Sequence, residues 1–130
     1  MYDNKIGTMA WLDLSVENAE TVKSFYQQVI GWKADNISMG DYDDFVMLEP
    51  SGNEAVAGVC HAKGVNKDLP PAWLPYFLVD DITVSIKAVE ESGGSLVSAL
   101  KTMGNDKYAL IKDPAGAVCA IYQKIANENI

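Results

Sequence analysis

The stretch "WLDLSV" (residues 11–16) puts Leu12, Leu14 and Val16 on one side and Trp11, Asp13 and Ser15 on the other. That period of two predicts a half-buried strand. Beyond it the period lengthens: Ala19, Val22, Phe25, Tyr26, Val29 and Ile30 recur at helical spacing, with Asn18 suited to the N-cap, Glu20 in the first turn and Gly31 to close the helix. Three strand-like runs follow at about 32–37, 44–49 and 54–60, separated by the turn-forming "MGDYD" and "PSGN".

The same order then recurs. Asp81 is placed to cap, Ile82, Ile86 and Val89 form the apolar stripe, Gly93 and Gly94 end it, and strands are predicted at about 95–100, 107–112 and 117–123, with "KTMGND" and "DPAG" as turns. An offset of 63 residues pairs Val16 with Val79, Glu17 with Asp80, Asn18 with Asp81 and Gly31 with Gly94; an offset of 64 pairs Pro50 with Pro114 and Gly52 with Gly116. Two copies are too few for a solenoid, so the repeat reads as a duplicated module. The expected fold is α+β: two tandem βαβββ modules, 7–61 and 71–124, joined by an exposed linker at 62–70 and followed by a tail at 125–130, within a single domain 1–130. In each module the helix covers one sheet face. The two modules are therefore expected to share the other, curling a mixed sheet around a central cleft that serves as the binding site.

Charge and composition then limit the function. The 130 residues carry a net charge of -8, and all ten cations are lysine. Binding to nucleic acid or an anionic membrane rests on neutralising phosphates with Lys and Arg, so neither partner is expected. Without arginine the planar fork that grips carboxylate or phosphate is missing, which disfavours a large polyanionic ligand. Apolar runs such as "AVAGVC" and "WLPYFLV" are far shorter than the ~20 residues of a membrane span. The N-terminus has no basic segment leading into an apolar one, so no signal peptide is read and a cytoplasmic location is expected. Cys60 and Cys119 have no metal-type spacing and read as reduced, buried thiols.

The combination of "FYQQVIGW", "VDD" and "DPAGA" at these spacings resembles the vicinal oxygen chelate superfamily, which includes glyoxalase I, extradiol dioxygenases and bleomycin-resistance proteins. It looks most like the small bacterial glyoxalase-related proteins, over about residues 7–124. The resemblance implies the fold, and a homodimer, better than it implies an activity, because the superfamily hosts several. It also implies where a metal would be held: at Trp11, Leu74, Val56 and Ala120, the positions where a metal-bearing relative would place His or Glu. Those four side chains offer no donors to a divalent ion, which needs N, O or S ligands at about 2.0–2.2 Å. No metal and no cofactor is therefore expected. His61, the only histidine, lies past the expected ligand position and is read as a strand-end imidazole without assigned chemistry. The acidic "DYDD" at 41–44 reads as a solvated hairpin turn rather than a calcium loop.

If position 11 faces the cleft, alternation sends Asp13 and Ser15 there too, and from Leu74 it sends Tyr76. The hairpins are then expected to add Phe45, Met47 and Val56 from the first module, and Ala109, Ile111, Ala120 and Tyr122 from the second. Asp13 stands out, because an unpartnered buried carboxylate is costly and is often retained for a task. The plainer alternative is that these side chains are ordinary core. The leading expectation is a protein that binds a small aromatic or cationic molecule against Trp11, Phe45, Met47, Val56, Leu74, Ala120 and Tyr122 without metal. The second is a metal-free enzyme with Asp13 as general acid or base and Tyr76 as hydrogen-bond donor. The third is a metal-dependent lyase or dioxygenase with atypical ligands.

Overall fold

The computed structural model describes residues 5–124, so the expected tail at 125–130 lies outside the described residues. Among the described residues there are two α-helices and nine strands, and the chain divides into two compact units. One runs from Trp11 to Trp73; the other joins the chain before Trp11 to the chain from Leu74 onward. Among the described residues no helix is long and apolar enough to cross a membrane.

The first unit holds β1 (Met9–Val16, of which the residues from Trp11 belong here), α1 (Ala19–Ile30), β2 (Lys33–Ser38), β3 (Asp43–Leu48) and β4 (Ala55–His61). The strand order is β2-β3-β4-β1. The β2/β3 and β3/β4 pairs are antiparallel, whereas β1 runs parallel to β4, as a strand returning through a helix and a hairpin must. In register, Leu14 meets Val59, which meets Phe45. These residues therefore share one face. Ala19 and Val22 of α1 pack into the same cluster as Phe45, Met47, Ala57 and Val59, so this is the face the helix covers. The Lys23 ammonium lies 4.6 Å from the centre of the Phe45 ring.

Helix ends follow the sequence in part. Gly31 closes α1 in the left-handed region (φ 88°), its N–H donating to the Gln27 carbonyl. Asn18 stands at the N-cap, but its side chain makes no capping bond. Beyond α1, the Trp73 indole N–H donates to the Tyr26 hydroxyl (3.1 Å), and Trp73 and Trp32 stack edge-to-face at 6.0 Å. This aromatic group holds the end of the 62–73 segment against the helix.

The second unit holds β5 (Trp73–Leu78, from Leu74 onward here), α2 (Ile82–Glu91), β6 (Ser95–Leu96), β7 (Lys101–Met103), β8 (Asp106–Lys112) and β9 (Val118–Gln123). Its order is β5-β9-β8-β6, with β7 also on β8, and again one pair, β5/β9, is parallel. Ile82 and Ile86 of α2 cover Ala109, Ile111 and Ile121. The Asp81 carboxylate caps α2, accepting from the N–H groups of Thr83 (3.0 Å) and Val84 (3.3 Å). After the helix the chain must pass tightly: a Cβ on Gly94 would come within 2.6 Å of the Lys112 carbonyl oxygen. The strand expected at 95–100 ends after Leu96, and β7 forms where a turn was expected. The N–H groups of Val97 and Ser98 both reach the Leu110 carbonyl, and Ser98 Oγ accepts from Leu110 N–H, so the chain bends against β8 before pairing resumes.

The two caps make a paired test. Asp81→Ala should lower unfolding free energy by about 1 kcal/mol, because it strips a made capping bond, while Asn18→Ala should stay within about 0.5 kcal/mol. Urea unfolding followed by circular dichroism measures both.

Candidate functional site

Opposite the helix-covered face of the first unit, β1 presents Trp11, Asp13 and Ser15. The Trp11 indole N–H donates to Asp13 Oδ1 at 2.8 Å. Asp13 stands in register with Gly58 on β4, and a Cβ there would collide with Oδ1 and lie 3.3 Å from Trp11 Nε1. The glycine thus leaves the space that the carboxylate and the indole edge occupy. Asp13 Oδ2 faces the Cys60 thiol at 4.0 Å. Cys60 is in register with Ser15, which is 3% exposed.

Burial dominates the electrostatics. Loss of water around Asp13 pushes its pKa from 3.8 up to about 6; the Trp11 hydrogen bond opposes this and the Asp44 charge adds to it. Burial, then the charges of Asp13 and Asp44, push the Cys60 thiol far above its usual range, so it is a protonated donor and not a nucleophile. An acid that titrates near neutrality, beside an indole, can pair with a cation or exchange a proton at physiological pH.

The structure brings some expected site residues together and separates others. Trp11, Asp13 and Ser15 do share a face. Phe45 and Met47 do not share it: they align with Val59 and Ala57 on the α1 side, which corrects their expected facing. The register shifts between Met47 and Leu48, leaving buried Val56 between the paired Ala55 and Ala57, and Val56 packs into the α1-side cluster with Ala19 and Phe45, which corrects its expected facing as well. In the second unit Tyr76, Ala120 and Tyr122 gather on the face away from α2, and buried Leu74 falls on it by alternation. Ala109 and Ile111 lie under α2, again opposite to expectation, and Tyr108 and Leu110 take their place. Tyr76, Tyr108 and Tyr122 form a ring cluster with centroids 6.0–6.5 Å apart. The Tyr122 hydroxyl donates to Asp106 Oδ2 at 2.7 Å, and burial together with that bond pushes its pKa upward.

Gly58, Cys60, Asp44, Tyr108 and Asp106 had not been singled out as site residues. Within "DYDD" only Asp44 is buried (7% exposed), so the solvated-turn reading fails for that residue. It accepts from His61 N–H at 2.8 Å and stands 3.3 Å from His61 Nδ1. Nothing in the local sequence marks that pairing, which spans 17 residues.

Of the positions where the resemblance implies a chelated ion, Trp11, Leu74 and Ala120 carry an indole, an isobutyl and a methyl, which cannot ligate a metal; Val56 is corrected, because the β4 residue that pairs with Asp13 as Ala120 pairs with Tyr76 is Gly58, which has no side chain. Among the described residues no three His, Cys, Asp or Glu side chains gather as a ligand set. The residues present do not fit a chelate.

Residues 8–121 match the glyoxalase/bleomycin resistance protein/dioxygenase superfamily, and the chain belongs to it. It is 30% identical, over 91% of its length, to an anthracycline biosynthesis protein, DnrV, of Streptomyces peucetius, and spans about half (47%) of that relative. In fold it resembles a superfamily member from Vibrio splendidus 12B01 (TM-score 0.58, 17% identity, 88% of this chain and 97% of that one). It also resembles methylmalonyl-CoA epimerase from Mycobacterium tuberculosis (TM-score 0.57, 13% identity, 97% and 94%).

The raised pKa of Asp13 has a defined sign. A carboxyl whose folded pKa lies above its unfolded value favours the fold below pH 3.8, and that contribution is lost as pH rises through about 6. Asp13→Asn keeps an acceptor for Trp11 without the charge. The variant should therefore gain about 1–3 kcal/mol over the wild type at pH 8 and little at pH 4. Thermal unfolding of both proteins from pH 4 to pH 8 measures the difference.

Proposed function

We propose that the chain binds a small planar or cationic organic molecule on the Trp11–Asp13 face without a chelated metal, as a homodimer. The observation that carries this reading is the Asp13 carboxylate, desolvated but engaged by one indole N–H and a distant thiol. A ligand ammonium would supply the counter-charge that the fold does not, and the Trp11 face offers a stacking surface. The Tyr76, Tyr108 and Tyr122 cluster gives the second unit an aromatic surface of the same kind. The relative's link to anthracycline biosynthesis supports including polycyclic aromatic compounds among the first probes. The pKa near 6 supports a second reading, in which Asp13 acts as the general acid or base of a metal-free reaction, with Tyr76 donating a hydrogen bond to the substrate.

The test uses Trp11 as reporter, with Trp32→Phe and Trp73→Phe removing the other indoles. A planar aromatic amine should quench the remaining emission, and Asp13→Asn should weaken it about tenfold, the scale of one charge-assisted hydrogen bond, while a neutral analogue changes less than about twofold. Unchanged emission with bound ligand, together with no effect of Asp13→Asn, removes this face as the site. Chelator dialysis should leave affinity unaltered; about one transition metal per chain, lost together with binding, would overturn the metal-free part.

A further inference from the structure

A second group of side chains lies on the α1 side of the first unit, around the only histidine. Lys63 holds its ammonium 4.7 Å from the centre of the Tyr42 ring, and Lys23 holds its own 4.6 Å from that of Phe45. The His61 ring neighbours both, its centroid 5.1 Å from that of Tyr42 and 6.4 Å from that of Phe45. Among the described residues neither lysine forms an ion pair, in a chain with 18 acidic side chains. Two of the nearby carboxylates accept hydrogen bonds from other groups. Asp44 accepts from the His61 backbone and faces Nδ1, and Asp43 accepts from the Asn36 amide at 3.0 Å. Asp41 is exposed on the turn.

Two ammonium groups on aromatic faces keep their hydrogen-bond donors available, because a ring engages a cation's charge without accepting its N–H groups as a carboxylate would. With Nδ1 turned to Asp44, His61 presents Nε2 as the third polar group. It is a donor to an anion when the ring is protonated and an acceptor for a ligand hydroxyl when it is neutral. We propose that Lys23, Lys63 and His61 form a second small-ligand site, which takes the carboxylate or phosphate oxyanion of a small molecule. The Tyr42 and Phe45 rings fix the three groups in place. A single lysine on a solvated surface would lose much of its attraction to screening, so the site requires both ammonium groups together with the imidazole.

Because His61 is the only histidine, its ring proton signals are unambiguous in an NMR spectrum. Inorganic phosphate and acetate are titrated separately into the full chain at constant pH, with sodium chloride holding ionic strength fixed. A saturable shift of the His61 Hε1 and Hδ2 signals at millimolar concentration is expected with at least one of them. Saturation by phosphate alone assigns a phosphate-bearing ligand, and saturation by acetate a carboxylate. The double variant Lys23→Gln/Lys63→Gln should weaken binding tenfold or more, while Lys87→Gln, an exposed lysine on α2, should leave it unchanged. The double variant should leave quenching of Trp11 by a planar aromatic amine unchanged, so this site stands or falls apart from the Trp11–Asp13 face. A shift that only follows total salt, or one that the double variant does not alter, overturns the proposal. Retained amide dispersion in each variant shows that the fold is intact.

Discussion

Asp13 can sit where it does because the residue opposite it in the parallel β1/β4 pair has no side chain. A methyl group at position 58 would occupy the place of its Oδ1. The carboxylate would then have to turn away, leave the Trp11 N–H and move back toward water. Its raised pKa and its field on the Cys60 thiol both follow from that single vacancy. The register makes the electrostatics, because in a parallel pair a one-residue slip would put Gly58 opposite an apolar side chain and send Asp13 under the helix.

The first unit therefore separates its chemistry by sheet face. On the side of Trp11 and Asp13 the charge is a desolvated carboxylate, which suits a cationic or protic group. Near the end of β4 the Asp44 carboxylate accepts from His61, while Lys23 and Lys63 lie over the Phe45 and Tyr42 rings. Asp44 contributes to both: its charge raises the Asp13 pKa, and its oxygen orients the imidazole. In the second unit an uncharged cluster of three tyrosines occupies the face away from α2, with the Tyr122 hydroxyl tied to Asp106. Membership of the superfamily accounts for the βαβ-type parallel pair in each unit; the character of each face comes from this chain's own residues.

The sequence by itself determined the two helices, their glycine ends, the Asp81 cap and most strands, because these depend on short-range periodicity and on residues that terminate it. It also determined that Trp11 and Asp13 lie side by side on one strand face, since residues two apart on a strand always do. It did not determine the facing of Phe45, Met47, Ala109 and Ile111. In "FVML" and "YALI" both faces are apolar, so alternation carries no sign, and the bulge at Val56 moves the register by one residue. The Asp44–His61 pair and the bare Cα of Gly58 beneath Asp13 were equally out of reach. They join residues 17 and 45 positions apart, and only strand pairing in three dimensions decides which distant side chains share a space and lose their water together.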